Sequence, residues 1–346
     1  MSLRRKLMRA AKKNQTLANM PNKAAKYNIT RPAKDTRNPS GFVTPRWIVS
    51  NANINEEQVK LLRGKKLMLG LPMYGGMCTG AFAIALANFQ TLCDRIGIEL
   101  SVQTLMNESL IQRGRNALTH MFLISNCEYF MFIDVDIGFN PLNLIELLLA
   151  TIMNNELLTG ATYSKKEINW GAVRHAIAND VDDKFLVHCS GSHVVIPEDT
   201  GETTRNLEYW QLIPVQYLGT GFMLMHRSLL ENMAKGVKEY KNNHIPNVPH
   251  GAPVKAIFDC EIRDGIYLSE DYLFCARAKD LGVSPKMALW VQLTHFGSLH
   301  FDGCFMCTQG GYVHDIKRKP PATELPAQIP TSSNATNLED PPTEVK

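Results

Sequence analysis

The triplet Asp134-Val135-Asp136 places two carboxylates one residue apart, directly after the apolar run Tyr129-Phe130-Met131-Phe132-Ile133. A short continuous apolar run of this kind predicts a buried strand. The carboxylates then stand at its C-terminal end, and ligands of open α/β sheets bind at that edge. Two carboxylates held so close repel each other unless a cation lies between them and a phosphate. Hard oxygen ligands favour Mg²⁺ or Mn²⁺, carried with a diphosphate. A capped strand end with two solvated aspartates is the competing reading of the triplet alone.

The elements that would position this triplet are legible on both sides of it. Lys66–Leu71 reads as a short apolar strand broken by Pro72 and Gly75-Gly76. Thr79 can cap a helix running through Ala81, Ile84, Ala85 and Phe89. Ile98–Leu105 alternates as a strand, and Asn107–Ser109 can cap a helix carrying Ile111, Leu118 and Phe122. Pro141 opens a helix over Leu144–Ile152, and Leu157–Ala161 is the next strand. This alternation predicts an α/β fold with a mainly parallel sheet and helices on both faces. The second half is less regular. Val194–Ile196, Tyr217-Leu218 and Phe222–Met225 read as strands, Arg227–Met233 and Asp271–Asp280 as helices, the latter ended by Gly282. A mixed, acceptor-side extension of the sheet is expected there.

The chain has 346 residues, 45% hydrophobic and 20% charged, which suits one large core or two small ones. No apolar run reaches the roughly 18 residues that span a bilayer, and no apolar segment follows the basic N-terminus as in a secretory signal. Cysteines within apolar stretches (Cys93, Cys127, Cys275) suit reduced core thiols, so the cytoplasm is the expected location, a host's if the protein is virus-encoded. Cys304 and Cys307 form a lone C-x-x-C without the second pair that zinc requires. Residues 1–40 hold eleven Lys/Arg against Asp35, a charge of +10, so the remainder of a chain at +4 carries −6. Such an arm suits nucleic acid, an anionic surface, or simple solubility. From Lys319 to 346 the Pro-rich composition predicts a tail without a packed core. Asn334-Ala335-Thr336 is a formal glycosylation sequon.

Several segments, in order, resemble glycosyltransferases of the GT-A (Rossmann-like) fold. They are Glu108–Asn116, Phe132–Ile137, Gly160–Lys166, Gly219–Phe222, Ser269–Tyr272 and His295–Gly297. The likeness covers roughly residues 65–302 and is nearest the branch that includes yeast mannan-polymerase-type and virus- or phage-encoded relatives. It implies a metal-dependent transfer of a sugar from a nucleotide donor, UDP- or GDP-linked, to a glycan or glycoprotein hydroxyl. In that reading Asp136 holds Mn²⁺ or Mg²⁺ directly, Asp134 supports the ion or touches the ribose, and His295 closes the metal site, with His300 the second candidate. The alternative for His295 is a core histidine bonded to a backbone carbonyl.

The resemblance also implies that Pro72, Met73 and Tyr74 meet the base and ribose. Arg113 and Asn116, three apart on one helix side, would face the nucleotide–metal site, with Arg115 turned away as a structural residue. One of Lys165 and Lys166 would reach the diphosphate, with Lys165 the expected donor-binding residue, unless the pair is simply a solvated turn. Gly221, in Gly219-Thr220-Gly221, would let the backbone approach the donor sugar. Asp271, or secondly Glu270, would remove the acceptor proton in an inverting enzyme, or orient sugars in a retaining one. Helix capping is the plain alternative for both carboxylates. Two other enzymatic readings remain: transfer to a modified nucleic-acid base, prompted by residues 1–40, and a nucleotidyltransferase. The second is disfavoured because Pro72–Gly76 lacks a basic residue.

Overall fold

The computed structural model describes residues 54–198, 211–243, 245–246 and 248–298. The basic arm, the Pro-rich tail with its sequon, Cys304, Cys307 and His300 lie outside the described residues. Six cysteines in the described part are free thiols, with Cys93, Cys127 and Cys275 buried. No helix among the described residues is long and apolar enough to cross a membrane.

The folded body starts before residue 65. Helix α1 (Glu56–Leu62) is opened by a reciprocal capping box between Asn55 and Gln58, both bonds 2.9 Å, and its Leu62 is fully buried. Then follow β1 (Lys66–Met73), α2 (Gly80–Ile96), β2 (Glu99–Met106), α3 (Ile111–Ile124), β3 (Tyr129–Ile133), β4 (Ile137–Phe139), α4 (Pro141–Met153) and β5 (Leu158–Gly160). Thr79 Oγ1 accepts the Phe82 amide at 3.2 Å to start α2. Pro141 occupies the first turn of α4 behind an Asn140 cap. Helix α3 differs from expectation. Its cap position is Leu110, whose apolar side chain makes no cap bond, and the Glu108 carboxylate accepts the Leu110 amide at 3.0 Å.

The second half holds α5 (Trp170–Ala178), α6 (Asp183–Leu186), β6 (Val195–Pro197), β7 (Leu212–Leu218), β8 (Phe222–His226) and α7 (Arg227–Met233). Two small hairpins come next, β9 (Glu239–Lys241) with β10 (Pro253–Lys255) and β11 (Glu261–Arg263) with β12 (Ile266–Leu268). The described chain closes with α8 (Glu270–Asp280), β13 (Lys286–Ala288) and β14 (Leu293–His295). Helix α5 and the hairpins have no counterpart in the sequence reading.

Eight strands form the central sheet in the order β2-β1-β3-β8-β5-β13-β7-β6. Most run in one direction; β8 and β7 are reversed, as their antiparallel pairings to β3, β5, β13 and β6 require. The fold is therefore α/β and Rossmann-like, with a mostly parallel sheet and a mixed extension. Alternate residues of each central strand bury on opposite faces. Tyr129, Met131 and Ile133 join Phe222 and Leu224 on the face covered by α1, α2 and α4. Phe130, Phe132, Met223 and Met225 join the opposite face, under α3, α7 and α8. Strands buried on both faces read as continuous apolar runs, which is why β3 was visible in sequence. Truncating Phe132, fully buried, to Ala would cost about 3–5 kcal/mol.

Candidate active site

β1, β3 and β5 end at one edge of the sheet, and the reversed β8 begins there, with Phe222 opposite Ile133. A cavity of about 750 Å³ opens at this edge. Its walls come from the end of β1 (Pro72, Met73) and the loop after it (Tyr74, Cys78), the turn after β2 (Glu108, Ser109), Asp134–Asp136, Tyr163, Thr220, and Glu270-Asp271 at the start of α8.

The aspartate triplet forms a tight turn. The Ile137 amide donates to the Asp134 carbonyl at 2.9 Å, and the Asp134 amide donates to Gly221 O at 3.0 Å. The turn sends the two carboxylates into different surroundings. Asp134 Oδ1 accepts a bond from Arg115 Nη2 at 3.0 Å. Arg115 Nε lies 3.4 Å from Glu270 Oε1, and the guanidinium stands over the Phe132 ring, 4.9 Å from its centre. The Arg115 side chain is only 3% exposed, and its Nη1 is buried without a hydrogen-bond partner. Burial alone would lower the arginine pKa; the Asp134 and Glu270 charges overcome this and raise it. Burial raises Glu270 above the usual carboxylate range, with Arg115 pulling against it and Asp271 adding to it.

Asp136 meets a different set of partners. Strand β14 pairs antiparallel with β4, with His295 opposite Ile137, and the Phe296 amide donates to Asp136 O at 2.8 Å. This brings His295 Nε2 to 3.5 Å from Asp136 Oδ2. His295 Nδ1 lies 2.7 Å from the Ser164 carbonyl, which can only accept, so Nδ1 carries a proton there and Nε2 is the nitrogen left to face Asp136, as a donor in the imidazolium or with a lone pair for a cation in the neutral ring. Lys166 Nζ donates to the same Asp136 Oδ2. Burial would raise the Asp136 pKa, but hydrogen bonds from His295 and Lys166 outweigh it and hold it at about 2. The Asp136 hydrogen bond raises the His295 pKa, against burial.

A carboxylate oxygen and an imidazole nitrogen suit a divalent cation. Two adjacent ligands of an octahedral ion on arms of about 2.1 Å lie about 3.0 Å apart, so the 3.5 Å found would close by about half an ångström around an ion. Among the described residues no three His, Cys, Asp or Glu side chains converge on one point. An ion here would therefore take its other ligands from water and a bound diphosphate, the usual habit of Mg²⁺.

Some expected site residues lie elsewhere. Arg113 does not line the cavity; its guanidinium is bound to Glu108 through Nε at 2.6 Å and Nη2 at 2.8 Å. Asn116 is buried, and its amide clamps the Phe258 backbone, donating to the carbonyl at 2.7 Å and accepting the amide at 2.8 Å. The residue between them, Arg115, is the one that enters the site. Helical geometry explains the change: α3 presents Asn116 to the 256–258 segment and Arg115 to the strand end. Asp134 is engaged by Arg115 and stands apart from the Asp136–His295 pair. Lys165 is exposed and donates its backbone amide to Ser192 O, whereas Lys166 reaches Asp136. Gly221 is buried beneath a ring and does not line the cavity: a Cβ there would stand 2.7 Å from Tyr163, and one on Gly219 would stand 2.6 Å away. Tyr163 accepts the Gly221 amide at its hydroxyl, 3.1 Å away. Sequence reasoning missed Tyr163 and Arg115, although both sit within the quoted motifs.

Glu270 and Asp271 are the first residues of α8, which starts one residue earlier than the expected Asp271. Both line the cavity, and Asp271 Oδ1 accepts the Ser269 hydroxyl and the Tyr272 amide. Pro72, Met73 and Tyr74 line its mouth, with Tyr74 73% exposed.

No family model matches the chain, and no curated protein matches it. Among solved structures it is similar to A197 from STIV, at 14% identity and a TM-score of 0.38, over 68% of this chain and 86% of that one. It is also similar to GalNAc-T7 with UDP, GalNAc and Mn²⁺, at 7% identity and a TM-score of 0.37, over 68% of this chain but 44% of the other.

Proposed function

We propose that this protein is a metal-dependent glycosyltransferase of the GT-A type, taking a UDP- or GDP-sugar and a glycan or glycoprotein hydroxyl. The observation that carries this reading is Asp136, which lines the same cavity as Glu270 and Asp271 and has His295 Nε2 3.5 Å from its carboxylate, with His295 Nδ1 held by the Ser164 carbonyl. Bound Mn²⁺ or Mg²⁺ would supply positive charge to the diphosphate oxygens as they leave. Asp136 and His295 would hold the ion. Arg115 fixes Asp134 and Glu270, so the cavity floor keeps its shape while charge moves above it. Tyr74 offers an exposed ring on which a nucleobase can stack.

Asp271 is the proposed base in an inverting reaction. It lies at the cavity wall and would take the proton of the acceptor hydroxyl as the new glycosidic bond forms and the nucleoside diphosphate departs. Glu270 is the second candidate, with the higher proton affinity of a buried carboxylate. The test is release of nucleoside diphosphate from a panel of sugar nucleotides with Mn²⁺, with and without EDTA. Release that needs the metal and is lost in Asp136→Ala supports the reading. No release from any donor, together with no Mn²⁺ binding, overturns it.

A further inference from the structure

Lys166 has a seat built for it. Its aliphatic stem lies against the bare backbone of Gly297, where a Cβ would stand 2.8 Å from Lys166 Cδ and 3.1 Å from Cγ. From that seat the ammonium reaches Asp136 Oδ2, the same oxygen that His295 Nε2 approaches at 3.5 Å. One carboxylate oxygen thus faces both a fixed imidazole and a lysine. The lysine side chain is 44% exposed, so solvent lies open to it on release.

We propose that Lys166 is a resident counter-cation of the metal site, which the divalent ion displaces when it binds. This rests on the metal reading above and adds a competitor to it. The ammonium balances and orients the Asp136 carboxylate while no ion is present, at a cost to the affinity of the site for a bare ion. An exposed ion pair is weak, so the cost is modest, up to about five-fold in binding. The ion therefore binds weakly by itself, and a diphosphate that brings further ligands tips the exchange.

The experiment is calorimetric titration of the full chain with MnCl₂, cross-checked by the electron paramagnetic resonance signal of free Mn²⁺. The variants are Lys166→Met, which keeps the stem over Gly297 without the charge, Gly297→Ala, which unseats the stem, and Asp136→Asn. Lys166→Met should bind Mn²⁺ about five-fold tighter than wild type, with Gly297→Ala moving the same way. A wild type too weak to measure beside a Lys166→Met that binds also supports displacement. Unchanged or weaker binding in Lys166→Met overturns it while leaving the metal site standing. Binding that survives Asp136→Asn overturns the metal reading itself, as does a wild type and Lys166→Met that both fail to bind.

Discussion

Asp134 and Asp136 leave the same strand two residues apart and enter opposite regimes. Asp134 faces a buried arginine that cannot move without exposing Glu270, the Phe132 ring and an unpartnered Nη1. Asp136 faces a half-exposed lysine and a histidine whose second nitrogen is pinned by a carbonyl. Removing one member of a buried charge cluster leaves an uncompensated charge, whereas an exposed ion pair exchanges at little cost. One side of the turn is thus a buried charge cluster and the other a part-exposed ion pair, which in our proposal exchanges its lysine for a metal ion. A two-carboxylate motif can divide its work between structure and chemistry, and the sequence spacing alone does not say which residue does which.

The comparison breaks most visibly at Asp136. Asp136→Ala should lower transfer by about 10³-fold or more, the loss of a metal's several kcal/mol at the leaving group, while the melting temperature falls by no more than about 3 °C. Steady-state kinetics beside a thermal scan measure both. A near-normal turnover would show that the exchangeable side is not the chemical one.

The carboxylates across the cavity sharpen the contrast next. Asp271→Asn should reduce transfer by about 10²–10⁴-fold, with donor affinity kept within about threefold. The pH profile separates the candidates, because a base must be deprotonated and transfer therefore rises with pH through its pKa. An acid limb above the usual carboxylate range that vanishes in Glu270→Gln would move the role to Glu270, whose pKa is raised by burial.

On the buried side the effect is on stability. Arg115→Met should destabilise the fold by about 3–5 kcal/mol in denaturant unfolding, since Asp134 and Glu270 lose their shared partner. Adding Glu270→Gln should restore part of it. Lys166→Met should change stability by less than about 1 kcal/mol. Equal losses for the two would erase the distinction between buried cluster and part-exposed pair.

The smallest effect is a pH-dependent gap between wild type and Asp136→Asn without metal. Asp136 has a folded pKa of about 2 against an ordinary 3.8, so its contribution to stability is present above that ordinary value. It is lost as pH falls through about 2. Because the carboxylate is a third exposed, the gap should be at most about 3 °C at pH 6 and should close towards pH 2. A gap that widens in acid would reverse the sign and refute the ion pair.

Much of the frame was legible in the sequence because both faces of its central strands are buried. Tyr129–Ile133 and Phe222–Met225 announce themselves as apolar runs, and Thr79 and Pro141 mark helix starts by their own chemistry. The resemblance named Asp136, His295, Glu270 and Asp271 as site residues; in the structure Asp136, Glu270 and Asp271 line one cavity and His295 lies 3.5 Å from Asp136. The errors came where a one-residue rotation on a helix or a loop decides the outcome. Arg113, Arg115 and Asn116 differ by about 100° per residue around α3, and only the position of the 256–258 segment settles which side chain faces Asp134. Lys165 and Lys166 likewise part company where the chain bends at Lys166, a local geometry the sequence does not announce. Gly219 and Gly221 were read as making room for a ligand. They make room for Tyr163, a partner nearly sixty residues away, which no local pattern encodes.

The antiparallel pairing of β4 with β14 also has a consequence in time. It joins residues more than 150 positions apart, whereas β1, β2 and β3 pair between near neighbours in the chain. Closing so long a loop is slow and comes after the local contacts are made. During synthesis the early half, with both aspartates in place, leaves the ribosome well before His295 does. A growing chain thus carries the frame and both aspartates before the histidine that meets Asp136 has been made.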